Sequence, residues 1–354
     1  MIKSAERLQP GGGFQLPPEA YKSKAWFNRE WREVFEPGWI FVGLVQEIPE
    51  KNSFKTFDLG PYPIIVTRDA NGELYAMHNV CRHRVCQVAS GSGKARSLVC
   101  PYHCWNYKLS GELARVPWKH AFEEFDLSEY GLRRLAVDTF WGMIFVHLNT
   151  DAEPLEDWLQ GLEADVHEQG VRPQDLKLLE YREYEAGSNW KFIIENHVDC
   201  LHVPFLHAGS SNWKVDELFY GYCGPHHISH VPYDVTPENM KPLPGLAWKY
   251  PAFATNVIFP NVITIVWENV CSFMHVLPKD AKTSIWRWFI LGQEGDNPAN
   301  YLEFYEPVVL EDIQAGDMLQ KTVASPRFEV GPMASFLEEP VAAFHDAYCD
   351  LMKL

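Results

Sequence analysis

The sequence predicts an α+β chain of two domains: an all-β domain first, then a domain built from an antiparallel sheet and helices. Three observations carry that expectation. The 354 residues exceed one ordinary domain, and 46% hydrophobic with 14% aromatic residues supply apolar material for two cores. From about Trp39 to Leu148, short β-rich runs are separated by turn residues. Beyond Asn149, helix-period segments alternate with strands. The expected divisions are 1–36 as an N-terminal arm and leading helix, 37–150 as the β domain and 151–354 as the second domain.

In the β domain the expected strands are Trp39–Val45, Ser53–Leu59, Tyr62–Thr67, Leu74–Val80, Leu98–Cys100, Asn106–Leu109 and Trp141–Leu148, with Asp69-Ala70-Asn71-Gly72 as a turn. In the second domain, apolar spacing predicts a helix from about Trp190 to Val203, stopped by Pro204. The run Val257 to Leu291 reads as two long antiparallel strands joined near Pro278-Lys279-Asp280. A further helix around Asp312 would turn Leu310, Ile313 and Leu319 to the core.

Chemistry concentrates in two places. Cys81-Arg82-His83 and Cys100-Pro101-Tyr102-His103 are separated by sixteen residues, one thiol and one imidazole in each pair. Two thiolates on one iron and two imidazoles on the other are what a Rieske-type [2Fe–2S] centre needs, and the neutral imidazoles raise its potential. A tetrahedral structural zinc site is the rival reading, although zinc modules usually pair Cys with Cys and His with His. Further along, Asn196, Asp199 and His202 recur at i,i+3 on the expected helix, and His207 follows its end. His202 and His207 could reach one metal with Asp199 beside the first of them. A non-haem Fe(II) site takes two His and one carboxylate and leaves positions open. Asp312 is the candidate third ligand, with Glu311 and Asp317 as rivals. His197 lies off the ligand face and reads as packing, and His226, His227 and His230 read as a loop cluster with a default structural role.

These motifs, Asn79-Val80-Cys81-Arg82-His83-Arg84 and Cys100-Pro101-Tyr102-His103-Cys104-Trp105 followed downstream by Glu195-Asn196, Asp199, His202 and His207, resemble the terminal oxygenase (alpha) subunits of Rieske non-haem iron oxygenases. Where that family usually has glycine after the His-Arg pair and after the second His, this chain has Val85 and Cys104. Cys86 and Cys104 could bridge the two loops, but free thiols are the default. The resemblance implies a [2Fe–2S] cluster on Cys81, His83, Cys100 and His103, mononuclear Fe(II) on His202, His207 and Asp312, and a homotrimer. It also implies that Asp199 couples the cluster of one subunit to the iron of the next, hydrogen-bonding His103 across the interface and His202 within its own chain. The implied reaction is O2 activation followed by hydroxylation or N- or O-demethylation of a small organic substrate. Cis-dihydroxylation of an aromatic ring, or electron transfer without oxygenation, are the alternatives. Glu-Asn-x-x-acid-Cys-x-His and the Glu311-Asp312 pattern resemble choline- and carnitine-type members, which however tend to carry Glu and Cys at the positions of Asp199 and Val203.

No Gly-rich dinucleotide fingerprint and no plant-type ferredoxin cysteine run occur, so electrons from NAD(P)H are expected through a separate reductase, with or without a ferredoxin. The segment from His207 to Leu291 is rich in aromatic residues, Trp213, Phe219, Tyr220, Tyr222, Tyr233, Trp248, Trp267, Trp286 and Trp288, most of them expected in the core, and some could wall a pocket for a flat ring or a quaternary or tertiary amine. A net charge of −16 argues against nucleic acid and anionic membrane surfaces. No long apolar run and no signal-like segment occur, and the cytoplasm is the expected location.

Overall fold

The turn at Asp69 shows how local chemistry sets the first register. Its Oδ1 accepts the backbone N–H groups of Asn71, Gly72 and Glu73 at 2.8–2.9 Å, and Gly72 takes φ +101°. In this computed structural model the described residues are 16–162, 171–210, 219–232, 252–267, 270–327 and 331–354. They divide into two units: Glu36–Leu155, and the N-terminal segment through Phe35 together with Glu156–Leu354.

In the first unit the strands are β1 (Ile40–Leu44), β2 (Ser53–Leu59), β3 (Tyr62–Arg68), β4 (Leu74–His78), β5 (Ser92–Lys94), β6 (Leu98–Val99), β7 (Asn106–Tyr107), β8 (Leu113–Arg115), β9 (Arg134–Phe140) and β10 (Met143–His147). One sheet has the order β1-β10-β9-β4-β3-β2-β5, and β6-β7-β8 form a second. The all-β expectation holds. Strands β5, β8 and β9 were not legible because Ser92-Gly93-Lys94 has no apolar residue and β9 carries charges on its exposed positions.

In the second unit, β11 (Lys177–Ala186), β12 (Phe219–Cys223), β13 (His226–Pro232), β14 (Ala252–Ile258), β15 (Val262–Trp267), β16 (Val270–Pro278) and β17 (Ser284–Gly292) form an antiparallel sheet in the order β11-β17-β16-β15-β14-β13-β12. The two long strands expected over Val257–Leu291 are therefore corrected to four. The chain turns at Phe259-Pro260-Asn261, and β15 ends at Trp267, whereas the turn after Pro278 lies where expected. His226, His227 and His230 lie in β13 rather than in a loop.

The helices are α1 (Lys24–Glu30), α2 (Leu155–Leu159), α3 (Trp190–Val198), α4 (Val203–Leu206), α5 (Ala299–Thr322) and α6 (Glu339–Met352). Asn189 caps α3 by accepting the Lys191 N–H at 3.0 Å. The expected single helix to Val203 is corrected: α3 stops at Val198, Asp199 is extended, and Pro204 sits in the first turn of α4 instead of ending a helix. Asp199 causes the break, because its carboxylate accepts the Leu201 N–H at 2.6 Å in competition with the helical ladder. In α5 the buried side is Tyr301, Tyr305, Val308, Val309, Asp312, Gly316 and Gln320, while Leu310 and Leu319 are exposed, reversing the expected stripe.

Most of the expected N-terminal arm, residues 1–15, lies outside the described residues, and the part from residue 16 on is packed into the fold. Ala20 and Tyr21 are buried, Tyr21 donates to Glu195 at 2.7 Å, and the buried Lys191 ammonium pairs with Glu30 and the Ala20 carbonyl. Glu195 also faces His345 of α6 at 3.0 Å. Removing one partner of such a buried pair costs about 3–5 kcal/mol, so these contacts fix α3 firmly. Among the described residues no helix is long and apolar enough to cross a membrane.

Candidate metal centres

The first cluster sits on two loops with the same backbone plan. Cys81 N–H donates to the Cys86 carbonyl at 2.8 Å and the Cys81 carbonyl accepts from Val85 at 3.1 Å; Cys100 repeats this with Trp105 at 2.9 Å and Cys104 at 3.0 Å. Each loop makes one tight turn and must return to its starting residue. The returning residues are Val85 at φ +51° and Cys104 at φ +56°, in the left-handed region that glycine adopts without penalty. The departures from the family glycines are therefore two strained positions.

These turns present their side chains together. Cys81 and Cys100 are buried in one apolar cluster with Trp105 and Tyr107. His83 and His103 point their Nδ1 atoms at each other, 3.1 Å apart, and His83 stacks on Trp105 with centroids 4.9 Å apart. Two imidazole nitrogens brought this close, with two buried thiols behind them, fit a group shared by all four. Burial raises the Cys81 thiol pKa, opposed by a hydrogen bond from Tyr107. The Tyr107 hydroxyl accepts the Arg82 N–H at 3.1 Å and lies 3.2 Å from Cys81 Sγ, to which it donates when that sulfur is a thiolate, since a thiolate can only accept. Cys86 and Cys104 are free thiols.

The second cluster forms where α3 breaks. His202 Nε2 and His207 Nε2 are 3.2 Å apart, and Asp312 Oδ1 lies 3.0 Å from His207 Nε2 and 3.7 Å from His202 Nε2. The three ligand atoms lie within 4.8 Å of one another, close enough to hold a single metal ion. Each imidazole is held from behind by a carboxylate, Asp199 on His202 Nδ1 at 3.2 Å and Glu311 on His207 Nδ1 at 2.7 Å. Such a carboxylate fixes the tautomer that leaves Nε2 open to a metal. Asn196 donates to Asp312 at 2.6 Å and Ser210 to Glu311 at 2.7 Å. Burial opposes the charged form of His207, but Asp312 and Glu311 outweigh it and raise its pKa.

Among the three carboxylates weighed from sequence, Asp312 is the one that lies with both Nε2 atoms. Glu311 stands behind His207, and Asp317 approaches the Gly187 backbone. The orienting role of Glu311 was missed, because its pairing with His207 spans 104 residues. His197 packs as expected, its Nε2 meeting Thr255 Oγ1 at 2.6 Å, and burial lowers its pKa to about 3. Trp288 is buried against Tyr301 and Tyr305, while Trp213, Tyr233 and Trp248 lie outside the described residues.

Residues 38–130 match the Rieske [2Fe-2S] domain, and residues 173–354, just over half of the chain, match the catalytic domain of the ring hydroxylating alpha subunit. The chain belongs to this Rieske oxygenase family. Family membership favours iron over zinc at the first cluster. The chain is 36% identical over 195 residues to the glycine betaine monooxygenase oxygenase subunit of Pseudomonas aeruginosa, covering 55% of this chain and 45% of that protein. It thus matches less than half the length of that relative. Over 329 residues it is 30% identical to the large oxygenase component of salicylate 5-hydroxylase from a Ralstonia species, covering 81% and 78%. Among solved structures, a quaternary ammonium Rieske monooxygenase, reported for carnitine oxidation and inter-subunit electron transfer, superposes with a TM-score of 0.86 at 25% identity, covering 97% of this chain and 96% of that one.

Proposed function

We propose that this chain is the terminal oxygenase component of a Rieske system and monooxygenates a small amine, with hydroxylation of an N-methyl group leading to its loss as formaldehyde. The observation that carries the reading is the convergence of His202 Nε2, His207 Nε2 and Asp312 Oδ1, each positioned by its own polar partner. Two imidazoles and one carboxylate suit non-haem Fe(II), which when bound supplies the site for reductive O2 activation. A Rieske electron-transfer protein would have no use for this triad.

Within this reading each side chain has a task. Cys81, Cys100, His83 and His103 hold the cluster, and the Tyr107 hydroxyl donates a hydrogen bond to Cys81 Sγ. Asp199 and Glu311 accept the Nδ1–H protons of His202 and His207, and Asn196 steadies the Asp312 oxygen. Asp199, whose two oxygens meet the Leu201 N–H and His202 Nδ1, also couples to His103 of a neighbouring subunit in a homotrimer under this reading. Electrons come from NAD(P)H through a separate reductase, directly or by way of a ferredoxin.

The amine is favoured over an aromatic ring by the betaine- and carnitine-related proteins. Asp199 and Val203 depart from the residues usual in those enzymes, which separates this chain from them in detail. The test is turnover with reductase, NADH and N-methylated amines under labelled O2. Stoichiometric formaldehyde is expected, and a cis-diol from an aromatic substrate without formaldehyde would overturn the assignment.

A further inference from the structure

Strands β12 and β13 carry polar groups that neither metal cluster uses. Tyr220 and Tyr222 of β12 and His227 of β13 lie on the sheet face that also carries Thr255, the partner of His197. Their rings are close, with centroids 6.2 Å apart for Tyr220 and Tyr222, 5.7 Å for Tyr222 and His227, and 6.4 Å for Tyr220 and His227. Phe336 stands 5.6 Å from Tyr220, and Glu339, at the start of α6, accepts the Tyr220 hydroxyl at 2.5 Å. This group adjoins the metal loop. Cys200, two residues before His202, donates its N–H to the Leu337 carbonyl at 3.3 Å, and His197 lies within electrostatic reach of both His227 and His202.

Two features call for a ligand. The Tyr222 hydroxyl and both ring nitrogens of His227 are buried with no hydrogen-bond partner among the described residues. Buried polar atoms in native proteins are almost always paired, so an unpaired set beside a reaction centre points to a bound molecule. The charge is also one-sided. Burial and then Glu339 raise the pKa of Tyr220 and Tyr222, burial lowers that of His227 to about 3, and among the described residues no lysine or arginine acts on any of the three. The rings are therefore neutral and face the Glu339 carboxylate, with no cation beside them among the described residues. Such a surface repels an anionic ligand group and attracts a cationic one, which aromatic faces also favour.

We infer that Tyr220, Tyr222, His227 and Phe336, with Glu339, form the subsite for the ammonium group of the substrate. This rests on the oxygenase reading above and adds what selects the amine. The ring faces and the Glu339 carboxylate hold the cation, and the Tyr222 oxygen and the single unprotonated ring nitrogen of His227 offer it their lone pairs.

The experiment is calorimetric titration of oxidised holoenzyme without reductase, so that binding is read apart from turnover. Choline is compared with 3,3-dimethylbutanol, and glycine betaine with 3,3-dimethylbutanoate, each pair differing in one atom and one charge. In at least one pair the cation is expected to bind about tenfold or more tightly than its isostere, the scale of a desolvated cation–π contact. Glu339→Gln keeps an acceptor for Tyr220 and should remove most of that preference while leaving isostere binding unchanged. Tyr222→Leu and His227→Leu should each weaken the cation several-fold, with circular dichroism reporting an intact fold. Equal binding within both pairs, or a preference that survives Glu339→Gln, overturns the subsite. The two readings fail differently: charge-selective binding without formaldehyde on turnover keeps the subsite and removes the activity. Formaldehyde release with an unchanged KM in Glu339→Gln does the reverse.

Discussion

Val85→Gly should stabilise the protein, although it removes a side chain from the loop that carries Cys81 and His83, two of the proposed cluster ligands. Val85 holds φ +51° because its N–H must close on the Cys81 carbonyl at 3.1 Å. A left-handed conformation costs an L-residue roughly 1–2 kcal/mol, and a β-branched residue lies at the upper end. Against this, glycine adds about 0.4–1 kcal/mol of unfolded-state entropy. The lost contacts are small: the side chain is 81% exposed, and a fifth of the roughly 2 kcal/mol for burying a valine is about 0.4 kcal/mol. The net gain is about 0.5–1 kcal/mol. Cys104→Gly, at φ +56° and also exposed, should give a similar gain. The double variant should raise the melting temperature of the Glu36–Leu155 unit by roughly 5 °C, followed as loss of the visible absorbance of the cluster during a thermal ramp. Val85→Asn, which tolerates the left-handed region without glycine's entropy, should gain as well. If both glycine variants melt at or below the parent temperature, the strain argument is wrong and the side chains are making contacts that matter.

Three further outcomes follow from named contacts. Tyr107→Phe removes a hydrogen bond to Cys81 Sγ, worth about 0.5–1.5 kcal/mol more to the reduced cluster, and should lower its reduction potential by about 20–65 mV in protein-film voltammetry. Glu311→Ala frees His207 Nδ1 and should weaken metal binding at the second cluster about 10–100-fold by competition with a chelator, whereas Glu311→Gln should lose less. Buried His226 accepts the Phe259 N–H at Nδ1 and donates to the Trp158 carbonyl from Nε2, so the folded state holds it neutral, and burial lowers its pKa to about 4. The unfolded chain therefore binds this proton first as pH falls, and stability should drop between about pH 6.5 and 4 by roughly 1.4 kcal/mol per unit, a slope that His226→Gln should reduce in chemical denaturation.

The sequence made the two clusters legible for a physical reason: metal ligands must be particular residue types, and the short spacings within Cys81–His83, Cys100–His103 and His202–His207 survive any error about the backbone around them. That robustness was needed. Asp199 and His202 were expected to share a helical face, yet they meet across a break that the Asp199 carboxylate itself makes. Asp312 was the expected third ligand and does lie with the two imidazoles, whereas Glu311 beside it was weighed only as a rival ligand, because which of two adjacent acids faces those imidazoles depends on how α5 is rolled. The expected roll, with Leu310 and Leu319 inward, was wrong: exposed leucines on a helix otherwise rich in acids mimic a core stripe. Ser92–Lys94 in the β domain and the turn at Phe259-Pro260 in the second sheet escaped for a related reason. Their pairing is decided by neighbouring strands rather than by their own residues.

Metal analysis of purified protein and of His202→Ala tests the central claim most directly. The parent should contain the iron and acid-labile sulfide of a [2Fe–2S] cluster plus one further iron per chain. The variant should lose only that further iron, keeping its sulfide, its visible spectrum and the paramagnetic resonance of the reduced cluster. Equal iron in both proteins, or zinc in place of the cluster, would contradict a chain built around two separate iron centres.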